Sequence, residues 1–186
     1  MARIAELFVM IGSPFRQPSP VDWAEIESDV GLEFPDDYKQ WQARYPDVQV
    51  DEFLYIYHLK RGEDLSVREQ ALRTLRSLRH LGTKRDFIWM RDEDGGSRRA
   101  RPFPIYPDRG GVYPWGATDN GDKLLWLTDP DPEKWTVVIT NGGDWWHYQG
   151  SFSEFLVGTL TREVVCPIFP DDFPESANID ELDDEE

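Results

Sequence analysis

Hydrophobic and polar residues follow one another along this chain in two rhythms. The first is helical. Trp23, Ile26 and Val30 recur at helical spacing and Gly31 supplies a stop. Ser19 is placed to cap that helix, with Pro20 at its first position, where a missing amide hydrogen costs nothing. A second helix is expected from about residue 35 to 45, with Tyr38, Trp41 and Tyr45 on one face and Pro46 ending it. Residues 48–58, VQVDEFLYIYH, read as one edge or half-buried strand, because β-branched and aromatic residues dominate them. Leu65, Leu72, Leu75, Leu78 and Leu81 then form a third helical stripe that stops at Gly82. Arg68, Arg73, Arg76 and Arg79 lie on another face of it, which is either a docking surface for an acidic group or, as we favour, a solvated flank.

The second rhythm is that of short strands. It follows residues 91–101, RDEDGGSRRAR, which read as a polar, glycine-containing loop. Strands are expected at residues 103–106, 111–115, 123–128, 135–140 and 144–148, with turn signals between them. A closing helix starts at Ser151, where Glu154 three residues on completes a capping box and Phe152, Phe155, Leu156 and Leu160 form the apolar face. The pattern divides the chain into an N-terminal segment (1–18), a folded domain (19–170) and an acidic tail (171–186) expected to be disordered.

The stretch WGATDNGDKLLWLT (115–128) concentrates Asp119, Asn120 and Asp122 around Gly121. A calcium loop would need oxygen ligands at alternate positions and a Glu at the twelfth, where this chain has apolar strand residues. Asn120-Gly121 instead supplies the positive φ of a tight hairpin, and Asn141-Gly142-Gly143 repeats that chemistry before DWWHY. The three histidines, His58, His80 and His147, show no metal-ligand spacing, so no metal and no cofactor are expected. No nucleophile elbow, phosphate loop or dinucleotide fingerprint occurs either. A carboxylate pair for glycoside chemistry stays open, since acids and tryptophans are plentiful. Cys166, the one cysteine, lies in the apolar run EVVCPIF and reads as a buried small hydrophobe.

Charge narrows the partners. The net charge is -16, and residues 171–186 contain nine acids and no base. Only residues 60–101 are net basic, with twelve bases against seven acids. Such a chain repels nucleic-acid phosphates and attracts basic partners, although net charge also serves solubility alone. The apolar run Leu7 to Ile11 is too short to span a membrane and has almost none of the basic start of a signal peptide, so a cytoplasmic location is expected.

Three blocks in order resemble the SUKH superfamily, which comprises bacterial immunity proteins and yeast cell-wall-assembly regulators. The first is WAEIESDVGLEFPDDYKQWQARYP, with Ile26-Glu27, Gly31, Phe34-Pro35 and Asp37-Tyr38-Lys39 in the family's places. The second is VYPWGATDNGDKLLW and the third GSFSEFLVGTL. The likeness covers about residues 20 to 165 and breaks in the middle, where RYPDVQVDEFLYIYHL replaces the usual Asn-Gly and glycine-rich strand. It implies an α+β fold, a single SUKH-like domain with a mostly antiparallel sheet flanked by helices. It also implies non-catalytic work: binding a cognate toxin of a polymorphic toxin system, a nuclease or other nucleic-acid-acting enzyme, and occluding its active site. The alternative is a regulatory or scaffold module with no toxin partner. The contact surface expected on this reading is the sheet with its loops: Trp115, Asp119, Asp122, Trp126, Asp144 and Trp145. The alternative is that most of these tryptophans are core, a reading we favour for Trp126, which lies mid-strand between Leu125 and Leu127, and a homodimer stays open.

Overall fold

In the computed structural model, residues 3–59, 67–82 and 86–182 are described. The helices begin and end on local signals. Helix α1 (Ile4–Ile11) buries Ile4 and Leu7. Helix α2 (Trp23–Val30) is capped by Asp22, whose carboxylate accepts the Glu25 amide at 3.1 Å, and stops at Gly31 in the left-handed conformation. The cap is therefore Asp22 and not Ser19. Helix α3 (Asp36–Gln42) follows Pro35 and turns Tyr38 and Trp41 into the core. Helix α4 (Val67–Gly82) buries Ala71, Leu75 and Leu78. Leu65 and the side chains of Arg68 and Leu81 lie outside the described residues. Helix α5 (Phe152–Leu160) starts in the expected capping box of Ser151 and Glu154.

The strands are β1 (Val48–Val50), β2 (Leu54–Ile56), β3 (Ile88–Arg91), β4 (Ser97–Ala100), β5 (Val112–Thr118), β6 (Lys123–Leu127), β7 (Thr136–Thr140), β8 (Asp144–Tyr148) and β9 (Ile179–Glu181). They join in one sheet ordered β4-β3-β8-β7-β6-β5-β2-β1-β9, antiparallel except where β3 runs parallel to β8. The fold is thus a single mixed α+β domain with a mostly antiparallel nine-stranded sheet among the described residues. Alternation in the central strands does not separate inside from outside. Leu124 and Trp126 point one way and Leu125 the other, yet all three are buried, as are Val137, Val138 and Ile139 beside them. The sheet is covered on both faces. Helix α5 packs on β7, with α1 and α3 against α5, while α4 packs on β5 and α2. No helix is long and apolar enough to cross a membrane among the described residues.

Residues 103–106 form no strand, only an isolated bridge from Ile105 to Val112, and four further expectations need correction. Residues 48–58 are two strands, because Asp51 and Glu52 take positive φ (54° and 52°) and fold the run into a hairpin. Residues 91–101 are a β-hairpin and not an open loop: Arg91 ends β3, the chain turns at Asp92–Gly96, and Ser97–Ala100 form β4, which places arginines on the sheet edge. The N-terminal segment belongs to the domain through α1. The acidic tail is not a disordered appendage over residues 171–182, since β9 pairs with β1 and Leu182 N–H donates to Asp47 O.

Candidate protein-binding surface

Residues from the three sequence blocks meet in space, many of them in the interior. Glu27 accepts the Phe34 amide at 2.9 Å and pairs with Lys39 at 2.6 Å, which locks α2 to α3. Asp37 Oδ2 accepts the Ser153 amide (2.9 Å) and hydroxyl (2.8 Å), which locks α3 to α5. Tyr38 meets Trp126 edge-on with ring centroids 4.6 Å apart, and Phe152 packs against Tyr38, Trp41 and Trp115 at 5.1 to 5.7 Å. Motifs far apart in sequence are therefore one aromatic and hydrogen-bonded cluster.

That cluster removes much of the contact surface expected from sequence. Trp115 and Trp126 are each 1% exposed and belong to the core. Trp145 is buried against Phe103, with centroids 5.7 Å apart. Asp122 is also buried. Its carboxylate accepts the Thr118 hydroxyl at 2.7 Å, so it closes the β5–β6 turn from inside, and burial raises its pKa above the usual carboxylate value. Asp144 is half-buried, with its amide donating to Asn141 Oδ1 at 2.7 Å. Only Asp119 is fully open to a partner.

Asp119 is nonetheless part of a larger arrangement. Its amide donates to Phe53 O at 2.9 Å, which joins the β5–β6 turn to the β1–β2 turn. Asp51 in that second turn accepts the amides of Glu175 (2.7 Å) and Ser176 (2.9 Å) and the Ser176 hydroxyl (2.7 Å). The Phe53 ring packs on Phe169 and Phe173, and Arg162 holds the carbonyls of Asp172 and Pro174 at 2.9 and 2.7 Å. One end of the sheet therefore presents the exposed carboxylates of Glu52, Asp119, Asp171, Asp172 and Glu175 on segments tied to one another. Four of these were missed in the sequence because they lie in a run read as one strand or in a tail read as disordered. The available signal was the acidic pair Asp51-Glu52 interrupting an otherwise apolar run.

Several other reactive side chains among the described residues are engaged within the fold. Cys166 is buried, and desolvation pushes its thiol up to about 12. His147 is half-buried on β8 with Nε2 2.8 Å from the Thr136 hydroxyl, and burial lowers its pKa. His58 Nε2 lies 3.1 Å from the Gln42 carbonyl. Arg79, on the basic face of α4, donates to the carbonyls of Ile105 and Tyr106 at 3.1 Å, so part of that face braces a loop. Among the described residues no group of three or more His, Cys, Asp or Glu is placed to hold a metal ion. No protein-family model, curated protein or solved structure matches the chain.

Proposed function

We propose that this chain is a non-catalytic immunity protein of the SUKH type, which binds a basic protein toxin in the cytoplasm and covers its active-site cleft with the acidic end of the sheet. The observation that carries the reading is the set of five exposed carboxylates, Glu52, Asp119, Asp171, Asp172 and Glu175, held at one end by hydrogen-bonded turns. A cleft built to receive nucleic-acid phosphates is basic, and fixed carboxylates offer it a substitute charge pattern. A chain of net charge -16 also accelerates encounter with such a partner, by roughly 10- to 1,000-fold at low salt. Fixed acids lose less conformational freedom on binding than acids on a free tail.

The test has two stages. Tagged protein is used to recover partners from lysate of its native host at low and high salt, and a recovered enzyme is then assayed with and without this chain. A basic nucleic-acid-acting enzyme that the chain inhibits supports the reading. The variant Glu52→Gln, Asp119→Asn, Asp171→Asn, Asp172→Asn should slow association at least tenfold at low salt and much less at high salt. Unchanged association at both salts would remove the acidic end from the mechanism, and a cell-envelope or signalling protein as the specific partner would favour a scaffold role instead.

A further inference from the structure

We propose that the β4 edge of the sheet is a docking strip for an extended acidic segment of a partner protein, which adds to the sheet as a further strand. This goes beyond the toxin-binding reading and does not rest on it, because the strip has the opposite charge and a different geometry.

The backbone comes first. The β3–β4 turn is closed by Asp92 N–H to Gly96 O (2.9 Å) and Gly95 N–H to Asp92 O (3.0 Å), with Gly95 at φ 84°. Antiparallel pairs alternate between mutually bonded and non-bonded. Counting from Asp92–Gly96, the next bonded pairs are Met90–Arg98 and Ile88–Ala100. The N–H and C=O groups of Ser97 and Arg99 therefore face away from β3. Ser97, Arg98 and Arg99 are exposed, and no strand pairs with β4 on that side among the described residues. The opposite edge is treated differently. Beside β9, the Phe15 and Arg16 amides and the Arg16 guanidinium bind the Glu181 carboxylate, and Arg16 donates to Leu182 O at 2.8 Å. One edge is covered and the other is left open.

Side-chain chemistry then selects the occupant. Arg98, Arg99 and Arg101 fall within four residues of a chain whose net charge is -16. Charge on an edge strand is also a general defence against aggregation. Here, however, Arg99 is not free to sweep: its guanidinium lies 4.3 Å from the Phe87 ring centroid and 5.4 Å from that of Trp89, and those rings pack 5.4 Å apart. Arg98, on the opposite face, is oriented by Asp92 at 3.2 Å. Preset cations beside outward backbone groups match an acidic peptide in extended form. A second copy's β4 would set arginine against arginine. A nucleic acid would use the arginines and rings but not the alternating amides and carbonyls, and the rest of the chain would repel it.

The probe is a fluorescein-labelled peptide of about ten residues alternating Glu and Val, titrated at low salt, with amide hydrogen exchange followed by NMR. Saturating peptide is expected to slow exchange at Ser97 and Arg99 while leaving Arg98 little changed. Replacing Arg98, Arg99 and Arg101 by Glu should weaken binding at least tenfold, and Arg99→Lys, which keeps charge and loses the ring platform, about threefold. A peptide N-methylated at alternate amides keeps its charge and should bind the unaltered protein at least tenfold more weakly if methylation blocks its pairing edge. The proposal is overturned if neither methylation register weakens binding, if Ser97 and Arg99 exchange is unaffected, or if a single-stranded oligonucleotide binds more tightly than the peptide.

Discussion

Removing the Asp37 side chain would test the central packing most directly. Asp37 is 2% exposed and is the second residue of α3, and its Oδ2 receives the amide and hydroxyl of Ser153, the second residue of α5. One carboxylate thus serves the electropositive starts of two helices. Truncation to Ala deletes two hydrogen bonds to a charged group, leaves a buried amide without an acceptor and leaves the Ser153 hydroxyl only the long contact to Ser151 Oγ at 3.5 Å. Hydrogen bonds to charged groups contribute about 1.5–3 kcal/mol, and an orphaned buried donor costs about 1–3 kcal/mol. These overlap, so the expected loss for Asp37→Ala is about 3–5 kcal/mol. At roughly 2–4 °C per kcal/mol for a chain of this size, the melting temperature falls by at least about 6 °C. Asp37→Asn keeps an acceptor oxygen and loses the charge, for about 1–2 kcal/mol. Urea denaturation at pH 7 measures both variants, and a double-mutant cycle with Ser153→Ala isolates the hydroxyl contact. If Asp37→Ala unfolds within 1 kcal/mol of the parent protein, the bridge between α3 and α5 is not a net source of stability and the reasoning fails.

Three further outcomes follow from the glycine positions and from the burial of His147. A Cβ on Gly116 would lie 2.3 Å from the Tyr55 carbonyl oxygen and 3.0 Å from Leu124 Cδ1, beside the register shift in β5, so Gly116→Ala should cost at least about 2 kcal/mol in a urea melt. Gly121→Ala, which meets open space but keeps a φ of 86°, should cost about 1 kcal/mol. Burial lowers the His147 pKa, so on acidification the unfolded chain takes the proton first; stability is lost as pH falls from the ordinary histidine value of 6.5 through the lower folded value. His147→Gln should flatten that part of a stability-versus-pH profile, and an unchanged slope would assign the acid sensitivity elsewhere.

The second half of the chain was readable from sequence because its local signals agree. Asn120-Gly121 and Asn141 to Gly143 mark hairpins between β-rich runs, and β5 to β8 lie where those runs are. Ser151 and Glu154 mark the start of α5, and the box is formed. What escaped were elements whose pairing is set by tertiary structure. The acidic pair in QVDEF interrupts the run but does not by itself specify left-handed Asp51 and Glu52, since no glycine stands there; the Asp51 side chain is anchored by Glu175 and Ser176, more than 120 residues away. The strand β4 is Ser-Arg-Arg-Ala, a composition that reads as loop until β3 pairs with it. The strand β9 was hidden in an acidic tail for the same reason.

The tryptophans failed as surface markers for a different physical reason. Alternation states only that Leu125 and Trp126 face opposite ways; choosing which is exposed requires a sheet with one open face. This sheet has none at β6. That also bears on what the sequence motifs can mean. Glu27, Asp37, Tyr38, Trp115, Trp126 and Phe152 are mostly buried, and they bind or pack against one another or the same neighbours. Residues so placed are constrained by packing whatever the partner is. A likeness carried by them speaks to the fold, whereas the choice of partner falls to exposed groups, of which Asp119 alone among the five carboxylates lies within the sequence blocks. The acidic turns near Glu52 and Asp171 and the arginines of β4 are such groups, and both lie in segments where the resemblance is weakest or absent. Exchanging them between two chains of this architecture should transfer partner choice with little change in stability, and exchanging the buried cluster should do the reverse.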